Sequence, residues 1–305
     1  MRQLNFALAA VACLVLTAGS ASAAFSRTYV SANGDDANDC SLATPCRYFS
    51  GAVPKTLTGG EIVAITDGEY GSVTINKALT VMAAPGVHAA LGRKVDENVV
   101  TVSAGSAAVV VLRNLYISRI SQGGHGIEVT SAGSLHIENC TVARFTGDAG
   151  FGINVASNTV RIYIKDSFVR DNGVGIFARG KMLIDNTRIE NNNSTGFGYG
   201  VGVAPGAKVT IRNSTVSGHS IGLSLQLSTG AVLTVEDCVV TNNSFAGISI
   251  SSDKSAGTVR VSNSLVTQNG IGFQNATGTF ESRGNNTVRG NTTNTSGTIT
   301  VFPGT

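Results

Sequence analysis

Arginines, carboxylates and aromatic residues fall close together in the middle of the chain: Tyr116, Arg119, Arg144, Asp148, Phe168, Arg170, Asp171, Arg188 and Glu190. A guanidinium presents a rigid fork of N–H donors that meets a carboxylate in two parallel hydrogen bonds. Set among aromatic rings, such forks suit an extended acidic glycan. Arg170, Asp171 and Glu190 also join a cation to carboxylates, the combination that acid/base work on a glycan would need. A solvated charged face held by internal ion pairs such as Arg170–Glu190 accounts for the same residues. Elsewhere, Asp35, Asp36 and Asp39 form an acidic loop that offers oxygens to calcium,. Their spacing is not that of an EF-hand, and an Asp-rich turn accounts for them equally; no cofactor other than calcium is expected. His88, His125, His136 and His219 lack metal-ligand spacing, and Gly196 to Gly202 lacks the lysine of a phosphate loop,.

The elements that would position these groups are set by an internal repeat. L-R-N-L-Y-I at 112–117 recurs as I-E-N-C-T-V, I-K-D-S-F-V, I-D-N-T-R-I, I-R-N-S-T-V, V-E-D-C-V-V and V-S-N-S-L-V. The shared Asn or Asp gives the anchors Asn114, Asn139, Asp166, Asn186, Asn213, Asp237 and Asn263, with Asn285 a degenerate eighth. Their spacing averages about 25 residues, which means a solenoid whose units bury their faces against one another. Positions −4 and −2 from each anchor are apolar (Val110 and Leu112, Leu135 and Ile137, Ile162 and Ile164), and position +3 is always Ile or Val. That is a strand with one buried face, turning at the anchor into a second strand. A turn residue follows at +6 (Asn172, Asn192, His219, Asn243, Asn269, Asn291). A third strand then opens Gly-apolar, as in Gly126-Ile127 and Gly152-Ile153. Three short strands per repeat predict a parallel β-helix with rungs about 4.8 Å apart.

The register accounts for much of the remaining chemistry. The outward −1 slot reads Arg113, Glu138, Lys165, Asp185, Arg212, Glu236, alternating in sign so that stacked neighbours attract,. The +6 slot predicts an amide ladder in which His219 is an odd member rather than a ligand. Cys140 and Cys238 share the inward +1 slot with Ser167, Thr187, Ser214 and Ser264. Four rungs, about 19 Å, separate them, so they are expected to be buried free thiols.

The chain has 305 residues, 42% hydrophobic and 13% charged, with 37 glycines, too apolar for disorder,. Lys+Arg 22 against Asp+Glu 19 gives +3, so nothing in the charge points to nucleic acid,. Arg2, the apolar run Phe6 to Leu16 and Ala21-Ser22-Ala23 read as a secretory signal peptide cleaved after Ala23,. No segment is long enough to span a bilayer. The expected address is extracellular or periplasmic, where Cys40 and Cys46 would pair and staple a loop. Tyr48, Phe49, Ala52, Val53 and Leu57 suggest a short amphipathic helix covering the first rung. The expected organisation is a signal peptide over 1–23, a stapled cap over 24–60 and a β-helix over 61–305, ending in a strand at Thr298 to Phe302.

Tyr29-Val30, Gly34-Asp35-Asp36, Pro45-Cys46, Phe49, Gly60-Glu61-Ile62 and Asp67-Gly68-Glu69-Tyr70 open the mature chain. This opening resembles that of secreted proteins in the pectate-lyase-like right-handed parallel β-helix superfamily. With its two cysteines it is similar to a bacterial group of β-helix repeat proteins without assigned activity. The resemblance covers nearly all of the mature chain and implies an all-β, single-stranded right-handed parallel β-helix with a short N-terminal capping helix. The superfamily holds lyases, glycoside hydrolases and epimerases acting on polysaccharides, and also adhesins, so fold alone does not fix activity. Gly124-His125-Gly126 resembles the G-H-G of polygalacturonases, but the N-T-D and D-D motifs of that family have no match between residues 40 and 124.

The leading expectation is therefore a secreted, non-catalytic structural or glycan-binding β-helix at the cell surface or in the periplasm. Tyr116, Arg119, Arg144, Phe168, Arg170 and Arg188 are its candidate glycan contacts. The first alternative is a polysaccharide lyase or glycoside hydrolase acting on an acidic glycan through Arg170, Asp171 and Glu190. The second is an adhesin-like protein-contact module, suggested by outward Val239 and Leu265,.

Overall fold

The computed structural model describes residues 24–92, 97–119, 124–146, 150–193, 198–225, 229–250 and 257–302. The expected signal peptide, Asp148 and part of the glycine-rich run lie outside these residues. Among the described residues the strands form three parallel sheets of 12, 10 and 10 strands. Each repeat contributes one strand to each sheet. Ser134–Glu138, for example, lies between Val109–Arg113 and Arg161–Lys165 in the first sheet. Thr141–Ala143 lies between Leu115–Ser118 and Phe168–Arg170 in the second, and Phe151–Val155 pairs with Val174–Ala178 in the third.

The corners follow from backbone sterics. All seven anchors, Asn114 to Asn263, are left-handed, with φ between 44° and 58°. Asn and Asp tolerate that region best among residues with a side chain, which explains the anchor's identity. A second left-handed corner lies at +5, occupied by Arg144, Asp171, Asn191, Gly218, Asn242 and Gln268. It closes the second strand and turns the +6 residue inward.

The core is one continuous apolar column. Asn172, Asn192, His219, Asn243 and Asn269 are buried within it, and each satisfies its neighbour. Asn172 Nδ2 donates to Asn192 Oδ1 at 2.7 Å, Asn243 Nδ2 to Asn269 Oδ1 at 2.8 Å, and Asn269 Nδ2 to Asn291 Oδ1 at 2.9 Å. His219 fits the same pattern. Its Nδ1 accepts the Asn192 N–H at 3.1 Å, its Nε2 lies 3.1 Å from the Ile189 carbonyl, and its own N–H donates to Asn243 Oδ1. Burial pushes its pKa down from 6.5 to about 4, against two backbone contacts that raise it. Cys140 and Cys238 are buried free thiols, and desolvation raises their pKa values to about 12 and about 11. Such thiols stay protonated and inert.

At the N-terminal end, Phe25–Val30 pairs in parallel with Thr56–Ala64, and a Cys40–Cys46 disulfide ties the loop between them. The expected helix is shorter than its apolar pattern suggests. One α-turn, Phe49–Ala52, runs into a 3₁₀ turn, Val53–Lys55. Pro54 ends the helix, because it has no N–H to donate. Phe49, Ala52 and Val53 are buried, whereas Leu57 falls in the next strand and is 49% exposed. At the far end the closing strand expected over Thr298 to Phe302 spans only Thr300–Phe302, and it pairs with Thr279–Arg283.

Candidate functional site

The outer face of the second sheet carries most of the candidate residues in two columns. The +2 column stacks Tyr116, Thr141, Phe168, Arg188, Thr215, Val239 and Leu265. The +4 column stacks Ser118, Ala143, Arg170, Glu190, Ser217 and Thr241. Phe168 is their centre. The Arg170 guanidinium lies 5.2 Å from its ring centroid and that of Arg188 4.9 Å, both within cation–π range,. Tyr116 lies 5.3 Å from the His88 ring, two rungs from Phe168.

The ion pairs differ from the expected Arg170–Glu190 contact. These two residues are directly opposite in the ladder, yet Arg170 Nη1 turns to Asp171 at 2.8 Å and Arg188 Nη2 binds Glu190 at 2.8 Å. The left-handed backbone of Asp171 brings its carboxylate back beside the preceding arginine. Each guanidinium thus spends part of its fork on one carboxylate and keeps other N–H groups. Arg144 is exposed at the equivalent corner, φ 69°. Arg119, expected at the same corner one rung earlier, is instead only 2% exposed and is removed from this face. Val239 and Leu265 stack in consecutive rungs, 37% and 39% exposed.

The acidic loop spends its carboxylates locally. Asp36 Oδ1 accepts the N–H groups of Arg47 and Tyr48, and Asp35 Oδ1 accepts that of Ala37. Asp39 accepts the Thr44 hydroxyl and the Ser41 N–H, which hold its carboxyl below the usual range. Among the described residues no group of three or more His, Cys, Asp or Glu side chains is placed to hold a metal ion.

Two arrangements have no counterpart in the repeat analysis. On the third sheet, His125 Nε2 lies 3.7 Å from Glu128, whose carboxylate accepts Asn154 Nδ2 at 2.8 Å. His125 also meets Phe151 edge-on at 5.0 Å, and Phe177 follows at 5.7 Å. The alternation of outward residues after each Gly-apolar pair is the signal that could have found them. Beside the cap, a cleft of about 1130 Å³ is lined by Arg47, Tyr48, Glu69, Thr74, Asn76 and Lys77, among others.

A family model described as a right-handed β-helix region matches residues 98–256 and 179–293. The chain belongs to the right-handed β-helix family. Among solved structures, a pectate lyase superposes with a TM-score of 0.66 at 18% identity, covering 92% of this chain and 78% of that one. A GH136 lacto-N-biosidase from Eubacterium ramulus superposes with a TM-score of 0.53 at 9% identity, covering 91% and 67%. At such identities the likeness establishes the β-helix fold alone. No curated protein matches the sequence. Among the described residues no helix is long and apolar enough to cross a membrane.

Proposed function

We propose that this β-helix protein acts outside the cytoplasm as a non-catalytic binder of acidic glycan chains, through the outer face of its second sheet. The observation that carries the reading is Phe168 flanked by the guanidinium groups of Arg170 and Arg188. A half-buried ring between two cations offers a surface for a sugar and forks for its carboxylates,. Arg144 and Tyr116 extend the face over the two preceding rungs. The disulfide between Cys40 and Cys46 supports an oxidising address,. Both structural neighbours carry the names of carbohydrate-active proteins, which supports a glycan as the ligand class.

The test is native-gel retardation of the purified protein in acidic and neutral polysaccharides, alongside assays for new reducing ends and for 235 nm absorbance, with and without calcium. Retardation by acidic chains, weakened in Arg188→Ala and Arg144→Ala, is the expected result. Product formation that is lost in Arg170→Ala or Asp171→Ala would replace binding by catalysis at the same face.

A further inference from the structure

The three sheets end differently at the N-terminal rung. The first ends on Phe25–Val30, whose outer edge the stapled loop covers. There Tyr29 N–H donates to the Cys40 carbonyl at 2.8 Å, and Cys46 N–H donates to the Tyr29 carbonyl at 3.0 Å. The second ends on Gly68–Glu69, where Arg47 Nη1 donates to the Glu69 carbonyl at 2.8 Å. The third ends on Val73–Ile75, which pairs on one side only, with Val100–Ser103. Val73 N–H donates to the Val99 carbonyl at 2.9 Å. Successive residues of a parallel strand bond to opposite neighbours, so Thr74 turns its N–H and C=O away from that partner. Among the described residues no strand meets them on the other side. Thr74 is exposed and lines the cleft of about 1130 Å³ beside the cap. An unpaired edge is a template for another chain, and folds cover such edges to avoid it. Here two are covered and the third opens into a cleft.

We infer that this cleft takes an extended, acidic peptide segment of another protein, added as a further strand beside Val73–Ile75. The open groups decide the class of occupant. A main-chain N–H and C=O offered by one strand residue are matched by the C=O and N–H of a second peptide strand, which shares the rise of about 3.3 Å per residue. Sugar hydroxyls have no such period. The opposite wall supplies apolar contact for alternate side chains of the added strand, through Tyr48, 39% exposed, and through Val53 and Pro54. Charge selects an acidic segment. Arg47 and Lys77 line the cleft against the single carboxylate of Glu69. Among the described residues neither cation forms an ion pair. The Arg47 guanidinium lies 4.5 Å from the Tyr48 ring centroid and holds the Glu69 carbonyl, and Lys77 Nζ donates to the Thr56 carbonyl at 2.5 Å. Lys77 stands two residues beyond Ile75, where a carboxylate at the end of the added strand would meet it. The cleft is remote in sequence from Phe168 and lies at a sheet edge, so this inference stands independently of the second-sheet reading.

The probe is a blocked, fluorescein-labelled hexapeptide of alternating valine and threonine that ends in aspartate, titrated with the purified protein and followed by fluorescence anisotropy. Saturable binding is expected, together with slower hydrogen exchange at the Thr74 amide. A twin peptide N-methylated at every amide should not bind, because it cannot donate to the Thr74 carbonyl. A twin ending in lysine should bind about threefold more weakly, as should the aspartate peptide to Lys77→Gln. Thr74→Pro removes the N–H that faces the cleft and no ladder bond, a change that edge strands accept, and should weaken binding about tenfold. An unfolding temperature equal to that of the parent separates a lost site from a lost fold, and the N-methylated twin tests the same bond with the protein unaltered. Arg188→Ala should leave peptide binding unchanged, so the two surfaces fail separately. No saturable binding, equal binding of the N-methylated twin, or unchanged exchange at Thr74 in the complex would overturn the inference.

Discussion

Two columns of this solenoid stack like upon like, one inside and one outside, with opposite consequences. Inside, Asn172, Asn192, Asn243, Asn269 and Asn291 repeat one side chain at successive rungs around the single His219. Outside, Arg161, Lys181 and Lys208 repeat a cation. An amide carries a donor and an acceptor, so its oxygen can accept from one neighbour while its NH₂ donates to the next amide or to a carbonyl, and repetition satisfies buried groups,. A cation only donates, so repetition adds repulsion and leaves its hydrogen-bonding capacity to solvent or to a ligand. Stacking identical residues is thus a stabilising device for one chemistry and a cost to the fold for the other.

Breaking the inner column should have the largest effect. Asn192 Oδ1 accepts both the backbone N–H and the Nδ2 of Asn172, and its own Nδ2 donates to the Val169 carbonyl. Asn192→Ala would leave these buried groups without that partner, a destabilisation of about 4 kcal/mol. Urea unfolding of the two proteins would measure it. A loss below 1 kcal/mol would mean that water or repacking can replace a ladder amide.

The odd member sharpens the comparison through pH. His219 Nδ1 accepts an N–H from Asn192, so a second ring proton would face a donor inside the core. The native state therefore refuses a proton down to about pH 4, whereas the unfolded chain takes it near 6.5,. With the folded pKa depressed, this group's contribution is complete above pH 6.5 and falls away as pH drops towards 4. The total decline is about 3 kcal/mol. His219→Asn, which restores the amide, should flatten that part of the stability–pH curve while leaving neutral stability within about 1 kcal/mol. A parallel curve for the variant would assign the acid sensitivity to other groups.

These columns also explain how far the sequence could be read. The anchor, the +6 ladder and the inward +1 slot were legible because each imposes one narrow residue class: left-handed φ selects Asn or Asp, and ladder geometry selects an amide or its imidazole substitute. The +5 corner was not, since Arg144, Asp171, Asn191, Gly218 and Gln268 share only a backbone angle. That corner then sent Arg170 to Asp171 instead of to Glu190, which ladder register alone had favoured. The burial of Arg119 depends on packing at a variable corner, where the repeat offers no template. Outward columns carry no packing constraint, so the face around Phe168 could be located from the register but its contacts could not.

The smallest effect separates the outer column from its alternating neighbour most directly. In the −1 column Arg113 binds Glu138 at 2.7 Å and Arg212 binds Asp185 at 2.8 Å, so opposite signs on adjacent rungs do meet in this sheet. Lys181→Glu would place a carboxylate between Arg161 above and Lys208 below, converting two repulsions into two attractions. Exposed pairs contribute little, so a rise in unfolding temperature of about 2 °C is expected, shrinking as salt is added. A more stable variant would show that the cation ladder is held against the fold's own preference. A less stable variant would mean that an unrecognised contact satisfies Lys181 in the native protein, and the column would then belong to structure, like its neighbour.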